Sequence, residues 1–235
     1  MRFSSDIGCE NCKSILKSIF YTLNNDQLQF LLVNKSCSMY KKGQYIFNRG
    51  AHPQGLFCVH SGKIKLSRTG DEGKEQIVRL AGEGDVIGYR ALLSNDRYQS
   101  SAIALEDAAI CFIPRQIFYD LLASNLGLAF EMMKLLSGDL KKAEQMITTL
   151  AQKPVRERMA ETLLFLKETY GFEEDGITLN VTLTREELAN LVGTATETGI
   201  RLLSEFKIEK IIELVGKRIK IINMPNLIKT ANLED

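Results

Sequence analysis

The sequence predicts an α+β chain: an antiparallel β-roll, then one long helix, then a winged helix-turn-helix. Three observations predict it. Nine of the 17 glycines fall between Gly43 and Gly88, separating short β-branched and aromatic segments, and short strands with frequent Gly turns build sandwiches and rolls. From 126 to 151 apolar residues recur at a 3-4 spacing with no proline, the period of a helix. Thr184-Arg185-Glu186-Glu187 has the spacing of a capping box, in which hydroxyl and carboxylate satisfy helix-start amides.

The elements follow in order. Residues 26–33 read as a short helix. Tyr45-Ile46-Phe47, 56–59 and Lys63-Ile64-Lys65-Leu66 read as strands; the alternation in the last predicts one buried and one wet face. The β pattern continues through 76–80 and 102–113. In the long helix, Ala129, Met133, Leu136, Leu140, Ala143, Ile147 and Leu150 occupy a and d positions over three heptads, the seam of a coiled-coil homodimer or, equally helical, a stripe packed on its own domain. Pro154 ends it, since proline lacks a donor and clashes with the preceding turn. A helix over 155–169, an acidic turn 171–176 and a strand 177–183 come next. The helix capped at Thr184 ends at Gly193, which can take positive φ, and a second helix follows; Ala189 is small enough for a helix crossing. Leu188, Val192, Leu202, Leu203 and Phe206 form the expected shared core. Residues 211–215 and 218–222 read as a hairpin turning at Gly216-Lys217.

Composition narrows the function. Of 235 residues, 45% are apolar and 25% charged, with 30 Lys plus Arg against 29 Asp plus Glu, an ordinary globular balance that announces neither disorder nor a strongly basic nucleic-acid binder. No apolar run is long enough to span a bilayer, and the opening residues lack a signal-peptide apolar core. A cytoplasmic protein without a membrane partner is expected. Five cysteines in such a chain favour free thiols or metal ligands over a disulfide framework.

The segment Leu183-Thr184-Arg185-Glu186-Glu187-Leu188-Ala189 through Gly193, with Thr196-Glu197-Thr198 and Arg201-Leu202-Leu203, resembles the Crp/Fnr family of bacterial transcription regulators. Residues 20–28, 79–88, 104–107, 132–138 and Glu157-Arg158 resemble its Fnr branch, so the resemblance covers nearly the whole chain. It implies an N-terminal extension with cysteines (1–22), a cyclic-nucleotide-binding-like β-roll sensor (23–125), a dimerisation helix (126–152), a Crp-type winged helix-turn-helix (153–224) and a tail (225–235). It implies a homodimeric, sequence-specific binder of double-stranded promoter DNA that works with RNA polymerase and is not an enzyme. A regulator responding to no ligand, or to an unidentified small molecule, is the alternative. A thiol oxidoreductase using Cys9 and Cys12 is a remote one, because such pairs belong at a helix start after a strand in a βαβ context.

In this family the second helix of the motif enters the major groove. By resemblance Arg201 donates bidentately to guanine, Glu197 accepts from cytosine or orients Arg201, and Arg185 holds a phosphate. Thr194 and Glu197 also have capping-box spacing, which would confine Glu197 to the helix start. Three departures stand out. Thr196 replaces a base-reading Arg of the cyclic-AMP receptor branch, and Ile200 replaces a Ser of the Fnr branch and can meet a thymine methyl. Gly199 replaces a buried branched residue, costing roughly 1 kcal/mol of helix propensity together with packing. Lys210 stands where a turn glycine is usual. Residues 154–235 carry 11 basic and 14 acidic residues, net −3, but 201–220 carry six basic against three acidic, so the second helix and the wing, Lys217 included, are the positive face.

For the sensor, the resemblance points to two ligands. Cyclic-nucleotide binders carry a Gly-Glu pair for the ribose and an Arg-Ser pair for the phosphate. Here Gly88-Tyr89-Arg90 and Tyr98-Gln99-Ser100-Ser101 lack both charged anchors, so cyclic AMP is not the expected ligand; Arg90 and Arg97 are read as surface loop arginines. The Fnr branch binds a [4Fe-4S] cluster through three N-terminal cysteines and one in the roll. Cys9, Cys12 and Cys111 match three of these, and the third N-terminal position is Ser18, a poor iron ligand at neutral pH, which leaves the fourth donor to Cys37, Asp6 or another group. An iron-sulfur site, a thiol or zinc site at Cys9 and Cys12, and a vestigial site all remain open, as does the reading of Cys37, Cys58 and Cys111 as small buried strand residues.

Overall fold

The structure is a computed structural model that describes residues 13–70 and 73–232. Cys9 and Cys12, and the extension around them, lie outside the described residues. The chain forms two compact units, residues 1–68 with 78–139, and residues 69–77 with 140–235.

The first unit opens with α1 (Lys13–Lys17), a 3-10 turn (Ile19–Thr22) and α2 (Asn25–Asn34). An Asn24–Gln27 capping box starts α2, one residue from the predicted boundary. Strands β1 (Ser36–Tyr40), β3 (Gly55–Ser61), β6 (Val86–Ile87) and β8 (Ala108–Pro114) form one antiparallel sheet in the order β1-β8-β3-β6. The second sheet runs β2-β7-β4-β5, with β2 Tyr45–Phe47, β7 Ser101–Ala104, β4 Ile64–Thr69 and β5 Glu75–Ala81. Val59, Ile110, Ile87 and Ala108 of the first sheet pack against Ile64, Leu66 and Ala102 of the second. Leu56, Cys58, Cys111 and Ile113, alternating with those along the same strands, face the opposite way onto Phe20, Leu31, Phe118, Leu121, Leu128 and Met132. Both faces of β3 and β8 are therefore covered, and both read as continuous apolar runs. Gly55 is required by close approach: a Cβ there would sit 2.1 Å from the Ile113 carbonyl oxygen.

Several expectations change. Lys65, assigned to a wet face, is 7% exposed, because β4 lies inside its sheet between β7 and β5. The roll also contains two helices beyond the expected elements, α3 (Tyr89–Ser94) and α4 (Arg115–Ser124); both are short, and α3 starts at Gly88 in a left-handed conformation with no side-chain cap to announce it.

Helix α5 runs Leu126–Gln152, as read from its period. Leu128 and Met132 are buried, whereas Met133, Leu136, Leu140, Ile147 and Leu150 of the heptad stripe are exposed, Ile147 at 67%. The second unit continues with α6 (Val155–Tyr170), capped at Pro154, α7 (Arg185–Val192), α8 (Thr196–Ile208), the hairpin β9 (Ile212–Val215) and β10 (Arg218–Ile221), and α9 (Met224–Ala231). The predicted strand 177–183 is reduced to the isolated bridges Thr178–Lys220 and Phe172–Leu179. Residues read as a tail form α9, whose Leu227 and Ala231 are fully buried and whose N-terminus carries Pro225 and an Asn223 cap, a start signal. All five predicted core residues, Leu188, Val192, Leu202, Leu203 and Phe206, are buried, each large one contributing about 1.5–3 kcal/mol.

Candidate nucleic-acid interface and sensor cysteines

The helix-turn-helix is assembled as its residues require. The Glu187 amide donates to Thr184 Oγ1 at 3.0 Å and the Thr184 amide to Glu187 Oε2 at 2.9 Å. Gly193 closes α7 at φ 74°, the left-handed turn that glycine takes without strain. Arg158 of α6 donates to the Gly193 carbonyl at 3.1 Å and fixes the turn from behind. Gly199 lies where α8 crosses α7: a Cβ there would be 3.2 Å from Ala189 Cβ and 3.7 Å from Met159 Cε. The expected loss of packing is thus overturned, because the helices close onto the missing side chain and leave no gap.

The face of α8 away from this crossing is open. Glu197, Ile200 and Arg201 are exposed and Thr196 is half-buried. The N-cap of α8 is Ala195, with no side-chain cap bond, so the capping box suggested by Thr194 and Glu197 does not form. Among the described residues the Glu197 side chain makes no hydrogen bond or ion pair. It does not orient Arg201 either. That is done by Glu205, one turn further on, whose Oε1 lies 2.5 Å from Arg201 NH1. Glu205 also accepts from Arg156 at 3.2 Å, and Arg156 reaches Glu209 at 2.6 Å while lying 4.8 Å from the Phe206 ring centroid. Glu205 and Arg156 were missed from sequence; the i,i+4 spacing of Arg201 and Glu205 was the available signal.

Arg185, assigned to a phosphate, braces the wing: its NH2 donates to the Gly216 carbonyl at 2.9 Å. Its NH1 is buried without a hydrogen bond, and burial pulls the guanidinium below its ordinary pKa. The hairpin pairs Val215 with Arg218 and leaves Lys217 exposed in the turn. Lys210 takes φ 57° itself where glycine is usual, so the wing forms in spite of that substitution. The positive face is narrower than its charges suggest. Arg218 pairs with Glu173 at 3.1 Å and Lys220 with Asp175 at 3.7 Å. Among the described residues Lys207, Lys210 and Lys217 form no ion pair.

In the first unit, Arg79, Arg90 and Arg97 of the roll have protein partners. Arg90 NH2 lies 2.7 Å from Asp139, Arg79 donates to the Tyr89 hydroxyl at 2.8 Å, and that buried hydroxyl donates to Asp139. Burial alone would raise the Asp139 carboxyl; the Tyr89 hydroxyl with Arg79 and Arg90 overcomes it and holds the group below its usual value. Arg97 donates to the Gly50 carbonyl at 2.8 Å. Tyr98 is buried and stacked on Phe47, ring centroids 4.0 Å apart.

The cysteines are arranged otherwise than expected. Cys37 on edge strand β1 stands opposite Cys111 on β8, and the two form a disulfide. Cys58 of β3, opposite Cys111 on its other side, is a buried thiol outside the disulfide. Ser18 is 4% exposed; its hydroxyl donates to the Ile15 carbonyl at 2.9 Å and accepts from the Phe20 amide at 3.2 Å. An iron-sulfur cluster needs deprotonated sulfur donors. A serine spent on capping and a cysteine bonded to another sulfur supply none, so the donors among the described residues do not fit the cluster in this arrangement. Among the described residues no three His, Cys, Asp or Glu side chains are placed to hold a metal, and no helix is long and apolar enough to cross a membrane.

Comparison with known proteins matches these two parts separately. Residues 38–125 fit the family model of the cyclic nucleotide-binding domain, and residues 157–230 that of the Crp-like helix-turn-helix domain. The fumarate and nitrate reduction regulatory protein of Vibrio cholerae is 33% identical over 97% of this chain and 91% of its own. The anaerobic regulatory protein of Aggregatibacter actinomycetemcomitans is 34% identical over 96% and 88%. Among solved structures, a transcriptional regulator of the CRP/FNR family from Thermus thermophilus superposes with a TM-score of 0.70 at 26% identity, covering 85% of this chain and 100% of that one. A crp/fnr family regulator from Eubacterium rectale shares the fold with a TM-score of 0.74 over 92% and 98% at 22% identity. The chain belongs to the Crp/Fnr family of transcription regulators, near the fumarate and nitrate reduction regulators.

Proposed function

We propose that this regulator is a cytoplasmic homodimer that reads a two-fold-related operator, works beside RNA polymerase and carries out no catalysis. The single observation that carries the DNA reading is the open face of α8, where Glu197, Ile200 and Arg201 are exposed and Glu197 is released from any capping duty. Thr196 and Lys217 flank that face, the first for base edges and the second for phosphate. Arg185 keeps the wing in register through its bond to the Gly216 carbonyl. The exposed stripe from Met133 to Leu150 supplies the a and d positions of a dimer seam, and a dimer sets the half-site spacing.

Cysteine chemistry is the favoured entry for the signal. Cyclic AMP is disfavoured because Arg90 and Arg97 are already engaged by Asp139 and Gly50. The test begins with selection of duplexes from a random pool, followed by sedimentation of the Leu140→Arg and Ile147→Arg variants. A palindromic site bound by wild type and lost with Arg201→Ala, together with monomeric stripe variants, is the expected result. A pool that never enriches overturns the DNA reading, and dimeric stripe variants overturn the seam. Iron and sulfide assayed after anaerobic purification separate the two kinds of cysteine chemistry: about four of each per chain means a cluster, and neither means thiols.

A further inference from the structure

Cys37 and Cys111 are brought together by the sheet itself. They occupy paired positions on adjacent antiparallel strands, where Cβ atoms on one face lie about 4.5–5.5 Å apart. The two are unlike in access: Cys111 is 6% exposed, whereas Cys37 is half-buried on an edge strand. The Lys35 ammonium lies 3.1 Å from Cys37 Sγ and 3.7 Å from Cys111 Sγ, so a positive charge attends both sulfurs. A regulator that works on DNA occupies a compartment whose glutathione and thioredoxin keep thiols reduced, and disulfides there are characteristically transient.

We propose that Cys37 and Cys111 form a reversible modification site for low-molecular-weight disulfides, with Cys37 as the entering thiol and Cys111 as the resolving one. The Cys37 sulfur attacks one sulfur of the incoming disulfide, breaking its S–S bond and releasing one thiol. The Cys111 sulfur then attacks Cys37 Sγ in the resulting mixed disulfide and releases the second thiol. Two protein thiols are oxidised to one disulfide, one small disulfide is reduced to two thiols, and both protons leave with them. Excess small thiol runs the sequence backwards. The bond joins edge strand β1 to β8, and both sulfurs lie on the face of the sheet that packs on Leu128 and Met132 at the base of α5. The proposal builds on the cysteines as the entry for the signal, but its test reads thiols and not DNA, so the two stand or fall separately.

The experiment uses the full chain carrying Cys9→Ser and Cys12→Ser, which leaves Cys37, Cys58 and Cys111 of the five cysteines. Protein equilibrated with oxidised or reduced glutathione is labelled with a mass-tagged maleimide. Three labels in reduced buffer falling to one in oxidised buffer is expected, with peptides 36–41 and 98–115 cross-linked after trypsin and the change reversed by reduced glutathione. In this background Cys111→Ser should accumulate glutathione on Cys37, and Cys37→Ser should gain none on Cys111. Three labels in both buffers, or a bond to Cys58 instead, overturns the pair. Equal glutathionylation of Cys111 in the Cys37→Ser chain overturns the assigned order.

Discussion

Arg201 enters the complex from an existing bond, and that bond sets what its removal should do. In the free chain its guanidinium rests 2.5 Å from Glu205, exposed at 64%; an exposed pair of this kind is worth about 0.3–0.5 kcal/mol. A bidentate contact to guanine discriminates by about 1–3 kcal/mol, so DNA wins the side chain with the pair as a small toll. With two half-sites the loss in Arg201→Ala is roughly 2–6 kcal/mol, an affinity drop of about 30-fold to 10⁴-fold. Glu205→Gln releases Arg201 beforehand and should tighten binding by no more than about fivefold, since Arg156 keeps Glu209 at 2.6 Å. Both are measured by fluorescence anisotropy at fixed salt, on the selected operator and on the same duplex with its half-site guanines replaced. Arg201→Ala should lose its preference between the two. Wild-type-like affinity in Arg201→Ala, or an equal loss on both duplexes, refutes base reading by this residue.

Gly199 is a packing requirement at the helix crossing, so Gly199→Ala should be near neutral, with about 1 kcal/mol of helix propensity offset by the close Ala189 contact, whereas Gly199→Val should lower Tm by roughly 2–8 °C through overpacking. A Val variant that melts with wild type removes this account. Asp139→Ala strands Arg79 and the Tyr89 hydroxyl, whose shared partner is 10% exposed, and should cost about 3 kcal/mol; a denaturant midpoint unchanged from wild type would contradict it. The Thr178 hydroxyl, then the Thr178 and Ile177 amides, hold the Asp175 carboxyl down at about 2. Its folded value lies below its unfolded 3.8, so its stabilisation is full above that value and fades as pH falls toward 2. Asp175→Asn should therefore shrink the difference in Tm between pH 5 and pH 2.5, and an undiminished difference excludes the effect.

What could be read from the sequence, and what could not, divides by range. The capping box at Thr184, the glycine stop at Gly193 and the hairpin turn at Gly216-Lys217 are local statements, and each holds to within a residue because a few neighbours decide them. Exposure of Lys65 failed because alternation describes one strand, while burial depends on what covers the sheet from elsewhere. The role of Arg185 shows the same limit at the interface. Resemblance placed Arg201 and Arg185 on DNA, but each has a second occupation. That of Arg201 is local, to Glu205 one turn along the same helix and legible in the i,i+4 spacing, whereas that of Arg185, to the Gly216 carbonyl, is tertiary and no motif encodes it. For Arg201 that occupation is weak and easily exchanged for a base. For Arg185 it ties the first helix of the motif to the wing through a nitrogen adjacent to a buried one without a partner. The cysteines carry the point furthest. Spacing could ask only whether Cys111 resembles a cluster ligand, whereas strand register, a long-range property, set Cys37 opposite it. The consequence is chemical: a sulfur that can close onto its neighbour responds to disulfides directly, and its availability to any metal depends on which redox state the sheet is in.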